Sequence, residues 1–362
     1  MTGVDQDQVL GSIMAGAVGD ALGGPVEFLS IEQIRQEFGA AGATDFVDEY
    51  GGRGRVTDDT QMTLFTMEGL VRASVGRRRG GGDLRSTVQH AYQRWLHTQG
   101  VAWERARGKF DQAAAADGWL VQCAELHARR APGNTVLGAL TAFASGAPSP
   151  SPTRPANDSK GCGAVMRSAP VALWADSTAE VFSSAAELGA LTHGHPSGYL
   201  SAGALAVIVH QILRGADLLA AVDVARAELS GWPDYGETDQ ALVAAVRVAA
   251  EGRPAPETIE SRLGGGWVGE EALAIGVCAA LVSRDLADGL LLAVNHSGDS
   301  DSTGSICGNI LGARDGIHAI PHRWLAELEL RDVTKRLTLD LLTELGPNPP
   351  DTTEWHERYP AW

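Results

Sequence analysis

The sequence predicts an all-α fold organised as a single domain. Ala, Leu, Glu and Arg dominate long segments with apolar residues at helical spacing, whereas the alternating β-branched runs of strands are almost absent. Glycine and proline separate these segments, and neither a fixed-period repeat nor a change in composition divides the 362 residues. With 44% hydrophobic and 20% charged residues, the chain has the composition of a globular protein with a sizeable core. We therefore predict one all-α domain over residues 1–345 and an irregular, proline-rich tail over residues 346–362.

The predicted helices follow one another along the whole domain. The first is apolar and carries small residues such as Gly11 and Gly19, which allow a neighbouring backbone to approach closely. Asp58 and Asp59 fall in the first turn of the second helix, where the helix dipole favours acids, and Asn134 is suited to cap another. Helices are predicted over residues 9–22, 58–73, 83–97, 134–145, 164–174, 178–191, 197–213, 218–229, 238–250, 270–282, 286–294, 303–312 and 324–345.

Charge and composition exclude several classes of function. A formal net charge of −16 argues against a protein that binds a nucleic-acid backbone, since such a protein presents a basic face. The four cysteines lie far apart and form no C-x-x-C pair, which argues against a zinc cluster or a disulfide framework. The N-terminal residues lack the basic region of a signal peptide, and the most apolar run, residues 202–213, is interrupted by His210. We therefore expect a cytoplasmic protein without a membrane segment.

Asp299 and Asp301 stand two residues apart after an apolar helical run. In an extended loop these carboxylates would face the same way, beside the hydroxyls of Ser300, Ser302 and Thr303. Such a set of oxygens suits a hard cation such as Mg²⁺ or Mn²⁺, although a lone Asp-x-Asp is more often a helix cap or a turn. An EF-hand is excluded because the twelfth loop position is isoleucine rather than the required glutamate.

Thr57, Asp58, Asp59 and Thr60 form a second oxygen-rich cluster at a predicted helix start. Adjacent carboxylates repel each other, and a cation between them relieves that repulsion. Alone, this pattern is more often a helix cap with acids that the dipole favours. Together, the two clusters are sufficient for a dinuclear metal site with bridging carboxylates.

Three further stretches carry groups suited to a ligand. Gly161, Cys162 and Gly163 precede a predicted helix, where backbone N–H groups can hold a phosphate; no lysine completes a P-loop, and a tight turn is the commoner explanation. His193 lies between helices, either as a substrate hydrogen-bond donor or as a structural histidine. Trp267 lies in a glycine-rich loop, where its ring can stack on a base or pack into the core.

Taken in order, these elements resemble the ADP-ribosylglycohydrolases, the family of dinitrogenase-reductase-activating glycohydrolase and the ADP-ribosyl-acceptor hydrolases. The stretches that carry the resemblance are residues 11–23, 57–60, 161–167, 191–193, 266–273, 298–302 and 312–313. The resemblance implies a compact orthogonal helical bundle with two divalent cations, Mg²⁺ or Mn²⁺, in a central cleft.

The resemblance also implies roles for individual residues. The implied metal ligands are Thr57, Asp58, Asp59, Asp299, Asp301 and Ser302. Family members commonly have threonine in place of Ser302, so the adjacent hydroxyl of Thr303 is the alternative ligand. The implied substrate-binding residues are Asp20, Gly161, Cys162, Gly163, Ala164, Met166, Arg167, His193, Trp267, Ser297 and Gly298. Many members have asparagine where Cys162 stands. Asp59, Asp299 or Glu27 is expected to move the proton.

The function implied by the resemblance is metal-dependent removal of ADP-ribose from an acceptor. The ribose hydroxyls would bind the metals next to a polarised water. Arginine, serine, a nucleobase and a small ester stay open as acceptors. The expected partner of this monomeric enzyme is an ADP-ribosylated protein, with an ADP-ribosylated nucleic acid as the alternative. One alternative is a non-catalytic ADP-ribose-binding or immunity protein, which should have lost metal ligands that this chain retains. The other, a helical phosphohydrolase, usually has His-Asp ligands, which are missing from both clusters.

Overall fold

The structure, a computed structural model, describes residues 3–362; Met1 and Thr2, which begin the predicted domain, lie outside this range. Within it, regular structure consists of α-helices and short 3₁₀-helices, which confirms the all-α prediction. The α-helices are α1 (Gln6–Gly23), α2 (Ile31–Phe38), α3 (Asp58–Arg78), α4 (Leu84–Thr98), α5 (Trp103–Arg107), α6 (Asn134–Ala144), α7 (Thr178–Gly189), α8 (Pro196–Ile212), α9 (Leu218–Leu229), α10 (Gly236–Ala250), α11 (Pro256–Leu263), α12 (Gly269–Val282), α13 (Leu286–Val294), α14 (Ser300–Asp315), α15 (His322–Glu327), α16 (Arg331–Glu344) and α17 (Thr353–Arg358). The 3₁₀-helices are Gly24–Val26, Leu120–Gln122, Ala124–Leu126, Cys162–Arg167, Ala169–Leu173 and Ile317–Ala319.

Helices α1 and α14 form the centre of the fold and run antiparallel at very short distance. A Cβ atom added at Gly19 would lie 2.0 Å from the carbonyl oxygen of Gly304, and one at Gly312 would lie 2.1 Å from that of Gly11. Only glycine therefore permits this backbone contact, as the small residues of the first helix predicted. The same contact brings the end of α1, at Gly23, against the start of α14, where Ser300 lies.

Helix α1 corrects the expectation that no apolar run is long enough to cross a membrane. Residues Gln6–Val26 have the necessary length and a mean hydropathy of 1.3, but 94% of the apolar window is buried inside the protein. A helix that is apolar on all sides is expected at the centre of a large core, where neighbours cover every face. The apolar character of α1 is thus explained by its packing against α14.

Several predicted helix boundaries are wrong. Residues 164–174 form parts of two 3₁₀-helices rather than one α-helix, because Pro170 has no N–H group and opposes a continuous helix. Residues 324–345 are interrupted between α15 and α16, where Leu330 has a left-handed φ of 56°. Helices α2, α5 and α11 were not predicted, and α14 begins at Ser300 rather than at Thr303.

The predicted irregular tail, residues 346–362, is partly helical and packs on the domain. Helix α17 lies within it, and its residue Trp355 is buried together with the nearby Tyr359. The hydroxyl of Tyr359 donates a hydrogen bond of 2.6 Å to Asp340, and the guanidinium of Arg72 donates one of 2.7 Å to the carbonyl of Pro360. The tail is therefore part of the folded domain.

Candidate functional site

The start of α3 presents two acids in a fixed position. Thr57 caps the helix, and its hydroxyl accepts a hydrogen bond of 3.3 Å from the backbone N–H of Asp59. Asp58 and Asp59 occupy the first turn, as predicted. The carboxylate of Asp20, from α1, lies beneath this turn and accepts hydrogen bonds from the N–H groups of Thr57 (2.9 Å) and Thr60 (3.1 Å). Asp20 therefore anchors the helix start that carries the two acids.

The start of α14 presents the second pair of acids. Asp299 is the N-cap, and its carboxylate accepts a hydrogen bond of 3.2 Å from the N–H of Ser302. Asp301 lies in the first helical turn, whereas the sequence pattern predicted that it lies in the loop before a helix that begins at Thr303. Gly298, with φ of 138°, precedes the cap, and the N–H of Asp299 donates a 2.8 Å hydrogen bond to the carbonyl of Gly265. Backbone contacts thus fix the orientation of this helix start.

Both helix starts open into one cavity of about 660 Å³. The carboxylates that line it are Glu27, Asp58, Asp59, Asp299 and Asp301. Ser302 also lines the cavity, whereas the hydroxyl of Thr303 lies 2.7 Å from the carbonyl oxygen of Ala293 and 2.9 Å from Nε2 of His296. Of the two hydroxyls that the sequence left open, the one of Ser302 faces the cavity.

Within this cavity, a set of carboxylate oxygens meets the requirements of a cation. Glu27, Asp299 and Asp301 each offer an oxygen, and these atoms lie within 4.8 Å of one another. Oε2 of Glu27 and Oδ2 of Asp59 are buried and have no hydrogen-bond partner among the described residues. Buried, unpaired carboxylate oxygens are unfavourable, and a hard cation is the ligand that such a set accommodates best. Glu27, predicted as a mover of protons, therefore also belongs to the group that could hold a metal.

Burial and mutual repulsion raise the pKa of four carboxylates in the cavity. Burial, with the charges of Asp299, Asp58 and Asp20, raises the pKa of Glu27 to about 9. Burial first and neighbouring carboxylates second also raise the pKa of Asp58, Asp59 and Asp301 well above their usual range. The negative potential that adds to the effect of burial is also the potential that attracts a cation.

The opposite wall is formed by the Gly161–Gly163 stretch and His193. The N–H of Cys162 donates a 3.2 Å hydrogen bond to the carbonyl of Trp267, and the Cys162 thiol donates one of 2.8 Å to Oδ2 of Asp299. His193 lies against Gly161 and Gly163, and its Nδ1 is 2.9 Å from the hydroxyl of Thr192. Burial, reinforced by Arg167, lowers the pKa of His193 to about 3, so the ring is neutral.

Comparison with known proteins agrees with this arrangement. The family model described as ADP-ribosylglycohydrolase matches residues 1–350. The chain belongs to the ADP-ribosylglycohydrolase family. It is 30% identical to an uncharacterized protein of Archaeoglobus fulgidus over 336 residues, and 24% identical to the ADP-ribosyl-[dinitrogen reductase] glycohydrolase of Rhodospirillum rubrum over 349 residues. Each alignment covers 91% of this chain and 94% of the relative.

A solved structure gives the same answer for the fold. The chain of an ADP-ribosylglycohydrolase-related protein complex superimposes with a TM-score of 0.67 and 26% sequence identity, covering 94% of this chain and 99% of that one. The single all-α domain is therefore the fold of the ADP-ribosylglycohydrolase family. Membership of the family supports a glycohydrolase that acts on ADP-ribosylated substrates, and the acidic cluster agrees with the metal dependence that is general in the family.

Not all residues that the family resemblance implied reach the cavity. Gly161, Cys162, Gly163, Met166, His193 and Trp267 line it together with the acids. Asp20, Thr57, Ala164, Arg167, Ser297 and Gly298 are not among the lining residues. The guanidinium of Arg167 is instead bonded to the hydroxyls of Tyr92 (3.0 Å) and Thr192 (2.7 Å), so it supports the wall from behind. The hydroxyl of Ser297 accepts a 3.0 Å hydrogen bond from the N–H of Ile31.

Two parts of the ADP-ribosylglycohydrolase cavity were missed by sequence reasoning. Phe28 is 69% exposed at the rim and stacks on Trp267, with ring centroids 5.7 Å apart. The segment from Arg129 to Val136 lines another side and includes the start of α6. The signal for this start was present, since Asn134 was predicted to lie at a helix N-terminus, but the cap is Gly133 and offers no side chain to the first N–H groups.

Proposed function

We propose that this protein is a metal-dependent hydrolase that cleaves the glycosidic bond between ADP-ribose and an acceptor. The observation that carries the proposal is the group of five carboxylates in one cavity, with unpaired buried oxygens on Glu27 and Asp59. Family membership supports ADP-ribose as the group that is released.

Two helix starts supply the ligands for two cations, Mg²⁺ or Mn²⁺. Asp58 and Asp59 on α3 form one set, and Asp299 and Asp301 on α14 form the other, with Ser302 beside them. Thr57 does not line the cavity and contributes through its cap, in which its hydroxyl accepts a hydrogen bond from the N–H of Asp59. Bound cations would polarise a water molecule and the ribose hydroxyls, which favours attack at the anomeric carbon.

Binding the negative diphosphate of ADP-ribose requires a region of positive potential. Although the chain is acidic overall, two features of the cavity provide such a region. Arg129 is the one arginine or lysine among the described residues that line the cavity. Its backbone is held by the neighbouring Arg130, whose guanidinium donates a 2.7 Å hydrogen bond to the carbonyl of Val56 and pairs with Glu329. The start of α6, capped by Gly133 without a side-chain hydrogen bond, adds N–H groups and the positive end of a helix dipole.

The proton has to be moved by a carboxylate that keeps a free oxygen. Both oxygens of Asp299 accept hydrogen bonds, Oδ1 from the N–H of Ser302 and Oδ2 from the thiol of Cys162. Oε2 of Glu27 and Oδ2 of Asp59 have none. Among the three predicted candidates, Glu27 and Asp59 are therefore better suited than Asp299 to accept a proton from water or to donate one to the leaving group.

The test is release of free ADP-ribose from a panel of conjugates linked through arginine, serine, a nucleobase or an ester, with Mg²⁺ or Mn²⁺ added. We expect turnover of at least one linkage, abolished by chelation. Asp58→Asn should lower the rate by about a hundredfold, because it removes a metal-binding charge. Asp332→Asn, which removes an exposed acid outside the cavity, is the matched control.

Binding of ADP-ribose without turnover of any conjugate, in protein that demonstrably holds both cations, would contradict the proposal. It would instead favour a non-catalytic member of the family. Equal rates for Asp58→Asn and Asp332→Asn would contradict the assignment of the ligands.

A further inference from the structure

A second cavity lies beside α4 and has no lining residue in common with the acidic one among the described residues. Its volume is about 150 Å³. Gln89 and Gln93 of α4 form one side, Phe143 of α6 and Phe110 form another, and Trp362 closes the rim. Nothing in the proposed hydrolysis uses these residues.

The two glutamines are buried without the hydrogen bonds that their amides require. Each has an exposed fraction of 1%. Within residues 3–362, neither the nitrogen nor the oxygen of the Gln89 amide has a hydrogen-bond partner. The amide oxygen of Gln93 also has none there, although its nitrogen donates a 3.3 Å hydrogen bond to the carbonyl of Leu140. A buried polar group that is left unpaired destabilises the folded state. Two such side chains, one turn apart on the same helix, make this side of the cavity suited to a polar ligand.

The walls of the cavity are flat and aromatic. The rings of Phe110 and Phe143 stack with centroids 4.0 Å apart and an interplanar angle of 10°. The rings of His90 and Trp362 stack with centroids 3.6 Å apart and an angle of 6°. A cavity of about this volume in another protein holds one benzene molecule. The shape therefore suits a single planar ring.

The unpaired groups indicate the chemistry of that ring. Two amide oxygens and one amide nitrogen lack partners, so the ligand must donate hydrogen bonds and accept at least one. A carboxylate would place its oxygens against two amide oxygens. His90 adds no charge, because burial, with Arg94 and Arg72, lowers its pKa to about 3 and both ring nitrogens are engaged, with Asp111 (3.0 Å) and Arg94 (2.6 Å). Arg107 also lines the cavity, but its guanidinium donates a hydrogen bond to the carbonyl of Asp111. The groups left for a ligand are therefore neutral amides, which suit an uncharged ring better than an anion.

We propose that this cavity is a second small-molecule site, which takes an uncharged, planar, single-ring carboxamide or amino-substituted heterocycle. The ring stacks between the aromatic walls, and the amides of Gln89 and Gln93 turn toward its polar edge. Glutamine pairs with such a donor–acceptor edge in base recognition by the same two-point geometry.

The experiment compares three probes of nearly equal size: benzamide, benzoate and toluene. Binding is measured by calorimetry and by ligand-observed NMR, in the presence of saturating ADP-ribose so that the acidic cavity is filled. We expect benzamide to bind, and we expect the affinities for benzoate and toluene to be lower by about tenfold or more. Gln89→Leu should weaken benzamide about tenfold, whereas the exposed Gln122→Leu should leave it unchanged.

Four outcomes would overturn the proposal. Toluene that binds as tightly as benzamide would mean an apolar cavity without polar recognition. Absence of binding by all three probes, or benzamide affinity unchanged by Gln89→Leu, would mean that the site is not built for this ligand. A marked loss of stability in ligand-free Gln89→Leu would mean that structural water already pairs the amide, since removing unpaired polar atoms should leave the free energy of unfolding equal or higher.

Discussion

Helix α3 contributes to two clusters of charged residues that differ in composition. One contains carboxylates alone, and the other contains paired carboxylates and guanidinium groups. At its start, carboxylates face one another in the acidic cavity. In its middle, carboxylates and guanidinium groups alternate: Glu68 pairs with Arg94 (2.6 Å), and Arg72 pairs with Asp117 (2.7 Å). The charged groups in the middle of α3 are thus neutralised by ion pairs with other described residues. The carboxylates at the start of α3 have no such counter-charge in the acidic cavity apart from Arg129.

The pKa values express the same contrast. At the paired cluster, burial alone would raise the pKa of Asp117, but Arg72 and Arg94 lower it to about 2. At the acidic cavity, burial and neighbouring carboxylates both raise the pKa of Glu27, to about 9. A buried cluster of carboxylates without a counter-charge among its neighbours is suited to bind a cation, and this distinguishes a binding site from a structural one.

The largest loss of stability is expected when the paired cluster is disrupted. Arg94→Leu leaves Glu68 buried without a counter-charge, so we expect the free energy of unfolding to fall by about 3–5 kcal/mol. Urea denaturation of the variant measures this loss. Arg105→Leu, an exposed arginine on α5, is the control and should change little. A loss below about 1 kcal/mol for Arg94→Leu would show that the cluster does not depend on its pairing.

The acidic cavity should behave in the opposite way and gain stability from a ligand. Mg²⁺ or Mn²⁺ at a hundred times its dissociation constant should raise the free energy of unfolding by about 2.7 kcal/mol. Thermal unfolding with metal and with chelator measures the difference. Asp301→Asn should reduce it, and Asp332→Asn should not. An equal shift in all three proteins would place the cation outside the cavity.

How much of the fold could be predicted depends on whether the signal was local. The apolar, glycine-bearing α1 and the capped start of α3 are encoded in neighbouring residues, and both were predicted. The interruption at Leu330 depends on a left-handed backbone conformation in a residue type that rarely adopts it, so the local sequence carries no sign of it. Burial of the tail depends on hydrogen bonds that Trp355 and Tyr359 donate to α16 and on the one that Pro360 accepts from Arg72 of α3, which no local pattern reveals.

The same distinction applies to the site. Asp58, Asp59, Asp299 and Asp301 stand in local patterns that indicated two oxygen clusters. Their meeting in one cavity follows from the antiparallel packing of α1 on α14 and was available from the sequence only through family resemblance. Arg129 has no local pattern at all: it precedes a second arginine in a loop, and only the fold shows which of the two reaches the cavity.

The stability of the metal-free protein should depend on pH through Glu27. Because the pKa of Glu27 is raised in the folded state, stability is fully present below its ordinary pKa and is lost as the pH rises through about 9. Glu27→Gln removes this loss, so with chelator the variant should exceed wild type by about 1–3 kcal/mol near pH 8 and match it near pH 5. Urea titrations across this range test the slope. A variant less stable than wild type at the higher pH would contradict the raised pKa.

Arg129 is the exception inside the acidic cavity, and its role can be separated from that of the metals. If Arg129 binds the diphosphate, Arg129→Glu should lower the affinity for ADP-ribose by about tenfold while leaving the affinity for Mg²⁺ equal or higher. Calorimetry with each ligand separately measures both affinities. Arg105→Glu makes the same change of charge on the exposed surface and is the control. Unchanged ADP-ribose affinity in Arg129→Glu would assign the anion to the start of α6 and the Gly161–Gly163 stretch alone.

The smallest effects on metal affinity and stability should come from the two adjacent hydroxyls in the first turn of α14. One is expected to bind metal and the other to stabilise the fold. Ser302 faces the cavity, so Ser302→Ala should weaken Mg²⁺ or Mn²⁺ by about 1 kcal/mol and leave the metal-free protein as stable as wild type. Thr303 is bonded to the carbonyl of Ala293 and to His296, so Thr303→Val should lower the free energy of unfolding by about 1 kcal/mol with metal affinity unchanged. Metal titration and urea denaturation of both variants separate the two effects. If the effects were exchanged, Thr303 would be the ligand, and the first turn of α14 would have to rotate when a cation binds.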